Sequence, residues 1–165
     1  MKTFQLQHNK KLLSIFLKLA YELNKINILP ITYGSFGLNL IIGEQGIIND
    51  LDLIISDNEF STNWDNIKNN IMPSLGYEID ATHCQEFNGH NIPISILKIS
   101  DIEKLTDIRK DQFKKESLEQ IEYYNLSLNQ YLDIYEKGML GKYRKQKKNK
   151  EDKQKILLIK QHLIK

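Results

Sequence analysis

The chain has 165 residues, of which 41% are apolar and 27% charged, and a net charge of +2. That is the make-up of one folded domain with a solvated surface, too close to neutral to require a polyanionic partner. Cys84 is the sole cysteine, which excludes an intrachain disulfide; no apolar run reaches membrane-spanning length, and Met1 to Lys11 lacks the apolar core of a secretion signal, so the expected setting is cytoplasmic.

Leu12, Leu13, Phe16, Leu19, Ala20 and Leu23 recur at steps of three and four between lysines, which predicts an amphipathic helix packed on a sheet. Ile28, Leu29 and Ile31 then predict a strand, in which Pro30 has no N–H to give to a ladder. A second apolar run carries Asp50 and Asp52. Asp57-Asn58 reads as a turn, and Trp64, Ile67, Ile71 and Leu75 as a second helix, with Ser61 or Thr62 its expected cap and Gly76 its stop. From Tyr77 the period changes to two: Asn88-Gly89 is a strong hairpin signal, and Ile92, Ile94 and Ile96 alternate on the returning strand. Beyond it lie a short helix over Ile102 to Ile108, a capping box at Ser127-Leu128-Asn129-Gln130 ahead of a helix carrying Tyr131, Ile134, Tyr135 and Leu140, and a last helix striped by Ile156, Ile159, Leu163 and Ile164. No linker divides the chain, so the expectation is one domain over 1–165, with a core at about 10–110 and a helical extension at about 127–165.

The most informative stretch is Tyr33 to Ile55, YGSFGLNLIIGEQGIINDLDLII. Gly34 lets the backbone turn sharply at the end of a strand, and Ser35 is placed to cap a helix beginning near Phe36, whose free N–H groups attract anions. Asp50 and Asp52 are two apart on a strand and so share a face, while Leu51 and Leu53 turn to the core. Like charges side by side repel unless a cation lies between them, and a hard divalent ion such as Mg²⁺ suits such a pair.

Gly34-Ser35 followed by Asn49-Asp50-Leu51-Asp52-Leu53 resembles the signature of the DNA polymerase β-like nucleotidyltransferase superfamily, with small bacterial members such as the lincosamide and aminoglycoside nucleotidyltransferases similar in size and layout. The resemblance implies an α+β fold, a mixed β-sheet flanked by helices with a helical C-terminal segment. It also implies that Gly34 and Ser35 contact a nucleoside triphosphate (NTP) and that Asp50 and Asp52 bind two Mg²⁺ ions.

Enzymes of this superfamily use a third carboxylate from a neighbouring strand as metal ligand or base for the attacking hydroxyl. On an uninterrupted strand from Tyr77 to Phe87, Asp80 and Glu86 would share a face, so parity leaves both open as catalytic and metal-binding acids. Asp80 through His83 resembles an Asp-x-His pattern of lincosamide-type enzymes, Glu86-Phe87 resembles the acid of related proteins, and a returning-strand position that is aspartate in some members is Ser95. His83 and Cys84 read more simply as structural residues. Of the basic segment from Tyr143 to Lys155, Arg144 and Lys148 are expected to close over the triphosphate, against the plainer reading of a solvated helix face.

The expected activity is therefore Mg²⁺-dependent transfer of a nucleoside monophosphate from an NTP to a hydroxyl of a small molecule, with release of pyrophosphate. Its partners would be the NTP and that acceptor, without membrane or nucleic acid; a homodimer completing the pocket stays open. The alternative is a non-catalytic nucleotide-fold module of binding or antitoxin-like regulatory type, motivated by Ser95 and the small size.

Overall fold

In the computed structural model, which describes residues 2–43, 48–103, 112–138 and 149–164, the first apolar stripe forms α1 (Lys2–Lys25). Leu12, Phe16, Leu19 and Leu23 on it are wholly buried, each contributing about 1.5–3 kcal/mol relative to exposure. They pack on one face of a mixed sheet whose strands are β1 (Ile31–Tyr33), β2 (Leu51–Ile55), β3 (Glu78–Ile79), β4 (Glu86–Asn88), β5 (Ile94–Lys98), β6 (Lys114–Leu118) and β7 (Ile121–Asn125), in the spatial order β3-β4-β5-β2-β1-β7-β6. β2 runs parallel to β5 and antiparallel to β1, and β1 runs parallel to β7. The expected α+β class and mixed sheet are thus what the chain adopts.

Alternation along β2 divides the core. Leu51, Leu53 and Ile55 join α1, Phe87, Ile94 and Ile96 on one side, while Ile54 joins Ile31 and Tyr33 on the other. That second side is covered by α2 (Gly34–Ile42), α4 (Ile99–Glu103), α5 (Leu128–Gly138) and α6 (Asn149–Leu163), through Leu38, Ile42, Ile102, Tyr131, Ile134, Tyr135 and Ile159. The Ser127 capping box is present: Gln130 N–H donates to Ser127 Oγ at 3.3 Å, and Ser127 N–H to Gln130 Oε1 at 2.8 Å.

Local structure departs from expectation at three places. Helix α3 (Asp57–Asn66) starts earlier than the Ser61 or Thr62 cap, because Ser56 and Glu59 form a reciprocal capping box that absorbs the Asp57-Asn58 pair into the first turn. The helix runs on through a π-helical turn (Ile67–Ile71) and a last turn (Met72–Ser74) before Gly76, whose φ of +80° does end it. The stretch from Tyr77 to Phe87 is two antiparallel strands, β3 and β4, folded back at Asp80, so the parity argument over its whole length does not apply. Lastly, β6 and β7 form an unforeseen hairpin turning at Glu119, which holds φ at +54°. The expected Ile102 to Ile108 helix is present as far as Glu103, and the rest of it lies outside the described residues.

Candidate functional site

β1 ends at Tyr33 and the chain turns straight into α2 through Gly34, whose φ is +63°. That left-handed value costs a residue with a Cβ about 1–2 kcal/mol, and here the space is occupied as well. A Cβ on Gly34 would stand 2.5 Å from Asp52 Oδ2, so the Asp52 carboxylate lies directly against the glycine backbone. The motif's two halves, expected to meet, are brought together by the antiparallel pairing of Tyr33 with Asp52.

Ser35 does not cap α2. Tyr33 occupies the N-cap position and makes no side-chain capping bond of its own, and the first-turn N–H groups of a helix have no partner within the helix, which makes such a start able to bind an anion. The Ser35 hydroxyl instead accepts a 2.7 Å hydrogen bond from Lys155 Nζ on α6, 120 residues away. The same ammonium lies 5.2 Å from the centre of the Tyr135 ring, a second attraction that fixes its direction. Sequence reasoning had Lys155 only as one of a run of cations. Arg144 and Lys148, the two chosen from that run, lie outside the described residues.

Register decides how the acids relate. Asp52 pairs with Ser95 on β5, and Ser95 pairs with Glu86 on β4. Directly opposed residues share a face, so Asp52, Ser95 and Glu86 form a row, with Glu86 two strand spacings, about 10 Å, from Asp52. The position the resemblance made acidic thus holds a small hydroxyl between two carboxylates. Asp50 stands one residue before β2, half-buried, where Leu51 N–H already bonds Pro93 O at 3.0 Å.

Asp80 is placed differently. Its Oδ1 accepts from Thr82 N–H at 2.8 Å, from the Thr82 hydroxyl at 2.6 Å and from His83 N–H at 3.0 Å, and its Oδ2 accepts from Asn88 Nδ2 at 2.7 Å. These donors, the Thr82 hydroxyl foremost, hold the carboxyl far below the usual range. Asp80 therefore ties the β3–β4 turn. His83 Nδ1 sits between the two acids, 3.3 Å from Asp80 Oδ1 and 3.7 Å from Glu86 Oε2, and Cys84 is exposed on the same turn.

Behind the site, Tyr131 is wholly buried and donates to Asn125 Oδ1 at 2.9 Å. Burial, with the Tyr135, Tyr33 and Asp52 side chains nearby, pushes its phenol well above the ordinary value. Its hydroxyl leaves no room at Gly37, where a Cβ would overlap it. Among the described residues no group of three or more His, Cys, Asp or Glu is gathered closely enough to hold a metal, and no helix is long and apolar enough to cross a membrane.

The architecture is the nucleotidyltransferase fold, so the resemblance read from Gly34-Ser35 and Asp50-Leu51-Asp52 holds at the level of fold. The chain superposes on the antibiotic-resistance factor ANT(2'')-Ia with a TM-score of 0.65 at 9% identity, covering 94% of this chain and 85% of that one. An antigenic nucleotidyltransferase-like protein from Paracoccidioides brasiliensis gives 0.61 at 16% identity (93% and 75% covered), and the lincosamide antibiotic adenylyltransferase LnuA 0.55 at 13% (89% and 95%). No protein-family model matches the chain. In sequence it is 32% identical over 150 residues to the uncharacterized protein YnaI of Bacillus subtilis (strain 168), covering 90% of this chain and 96% of that one, and it belongs to YnaI's family.

Proposed function

We propose that the protein moves a nucleoside monophosphate from an NTP to a hydroxyl of a small molecule in a Mg²⁺-dependent reaction that releases pyrophosphate. The observation that carries this is the convergence of three distant segments: Asp52 lies against Gly34 while Lys155 reaches Ser35. An anion-binding helix start, a carboxylate and an ammonium in one place suit a phosphate chain with its counter-ion. The neighbours' names add support, since ANT(2'')-Ia is an antibiotic-resistance factor and LnuA an antibiotic adenylyltransferase.

In this reading the N–H groups at Gly34 and Ser35 bind the β- and γ-phosphate oxygens, and Lys155 turns from the Ser35 hydroxyl to donate to them. Asp50 and Asp52 are oxygen donors of the type a hard divalent ion takes and would hold it as a pair, with phosphate and water oxygens completing its shell; Glu86 stands two strand spacings away across Ser95. Mg²⁺, when bound, draws charge off the phosphate oxygens. Glu86 accepts the acceptor's hydroxyl proton as its oxygen attacks the α-phosphorus; the α–β phosphoanhydride bond breaks and pyrophosphate leaves. Asp80, whose lone pairs already serve Thr82, His83 and Asn88, has the structural role.

The test is Mg²⁺-dependent pyrophosphate release across the four NTPs and a panel of hydroxyl-bearing acceptors. Glu86→Gln should keep NTP affinity and lose turnover by about 10²–10⁴-fold, the usual worth of a general base. A non-catalytic module would use the same Gly34, Ser35 and Lys155 contacts, and is the reading that NTP binding without turnover in the parent protein supports.

A further inference from the structure

On the α1 side of the sheet, the side away from Asp52, a cleft of about 250 Å³ opens between helix and sheet edge. One wall is α1, which contributes Lys11, Ser14, Ile15 and Lys18. The facing wall is Leu75 and Tyr77, with His90 at one end.

The rim is built rather than incidental. Lys11 Nζ donates to His90 O at 2.8 Å, and His90 Nε2 donates to Leu75 O at 2.9 Å. The Tyr77 and His90 rings meet edge to face, 5.3 Å between centres. Gly76, at φ +80°, admits this approach, since a Cβ there would stand 2.8 Å from His90 Nε2.

Two features are unexplained by folding. Tyr77 is 1% exposed, and its hydroxyl is buried with no hydrogen-bond partner among the described residues, a state that costs about 1–3 kcal/mol. Burial also pushes its phenol up to about 12, so it is a neutral donor at physiological pH. In addition, Lys11 and Lys18 stand two turns apart on one helix face, roughly 10 Å along the axis, and among the described residues neither has an ion-pair partner.

We propose that this cleft binds a small organic anion, one carboxylate, sulfonate or phosphate group on a compact apolar body. The charged group lies between Lys11 and Lys18, within reach of the Ser14 hydroxyl, and the body lies against Ile15, Leu75 and the Tyr77 ring. A bare inorganic anion would leave those apolar walls uncovered, and a neutral apolar compound would make no use of the two ammonium groups. The site is independent of the nucleotide reading, which uses the opposite face.

The test uses the full chain and two fluorescent probes of one ring system, 8-anilinonaphthalene-1-sulfonate and its uncharged counterpart N-phenyl-1-naphthylamine. The parent should bind the sulfonate at one saturable site. Lys11→Ala with Lys18→Ala should weaken it about tenfold, the loss of two partly exposed charge contacts, and leave the neutral probe unchanged. Lys155→Met, altered on the other face, should bind both probes as the parent does. The proposal is overturned if the parent shows no saturable sulfonate binding, if the double variant matches the parent, if it loses both probes equally, or if Lys155→Met alone weakens the sulfonate.

Discussion

Two carboxylates on the β3–β4 segment, Asp80 and Glu86, carry different work, and substitution separates them. Asp80 has a depressed folded-state pKa caused by Thr82, Asn88 and His83 donors. A depressed carboxylate contributes stability above its unfolded pKa of about 3.9 and loses it as pH falls through the folded value. Asp80→Asn should therefore lower Tm at neutral pH, with the gap from the parent closing as the pH is taken below about 4. Glu86→Gln, which removes only the longer 3.7 Å contact with His83 Nδ1, should lower Tm at neutral pH less than Asp80→Asn does. If Asp80→Asn melted like the parent at neutral pH, the turn-tying role would be wrong. Gly34→Ala should cost about 1–2 kcal/mol for its φ alone, and, because its Cβ would press on Asp52 Oδ2, should weaken Mg²⁺-supported nucleotide binding beyond what thermal destabilisation explains. Titration of nucleotide well below the variant's Tm checks this.

Among the elements, the ones legible in the sequence are those whose determinants are local. Ser127 with Gln130 announces α5, and Asn88-Gly89 announces the β4–β5 hairpin, because each signal lies within a few residues of its effect. The β6–β7 hairpin gave little sign of itself: β6 is an edge strand of mostly exposed polar residues, Lys114, Lys115, Glu116 and Ser117, and β7 alternates Ile121, Tyr123 and Asn125 inward, the last a polar residue satisfied by Gly37 O. The third acid was left open for a related reason, since the break at Asp80 depends on donors folding back from Thr82, His83 and Asn88. Helix α6 makes the largest unforeseen contribution, because a contact between Lys155 and Ser35 is a property of the packed fold. Lys155→Met keeps the aliphatic stem and removes the charge; it should weaken NTP binding about tenfold, roughly 1.4 kcal/mol, and weaken NMP binding less, because fewer phosphate charges lie near the ammonium. Equal losses for both nucleotides, or none, would take Lys155 out of the phosphate site. Ser56→Ala removes the α3 cap and should cost about 1 kcal/mol without touching either affinity, a control for destabilisation alone.

At the scale of the molecule, the sheet order explains why the site lies where it does. β1 and β2, antiparallel and central, bring Gly34 beside Asp52; β5 and β4 extend the row to Glu86; and the helices on that face deliver Lys155 from the far end of the chain. A ligand bridging these segments binds only the native arrangement and so raises apparent stability by mass action, about 2.7 kcal/mol at a hundredfold excess over Kd, or roughly 5–10 °C in a chain of this size. The most direct measurement is a thermal-shift titration of the four NTPs, with and without Mg²⁺, on the parent and on Asp52→Asn, a change that removes charge at nearly constant shape. The expected result is a Mg²⁺-dependent rise in Tm for at least one NTP in the parent and its loss in Asp52→Asn; no rise with any NTP, or an equal rise in both proteins, would contradict nucleotide binding at Gly34, Ser35 and Asp52.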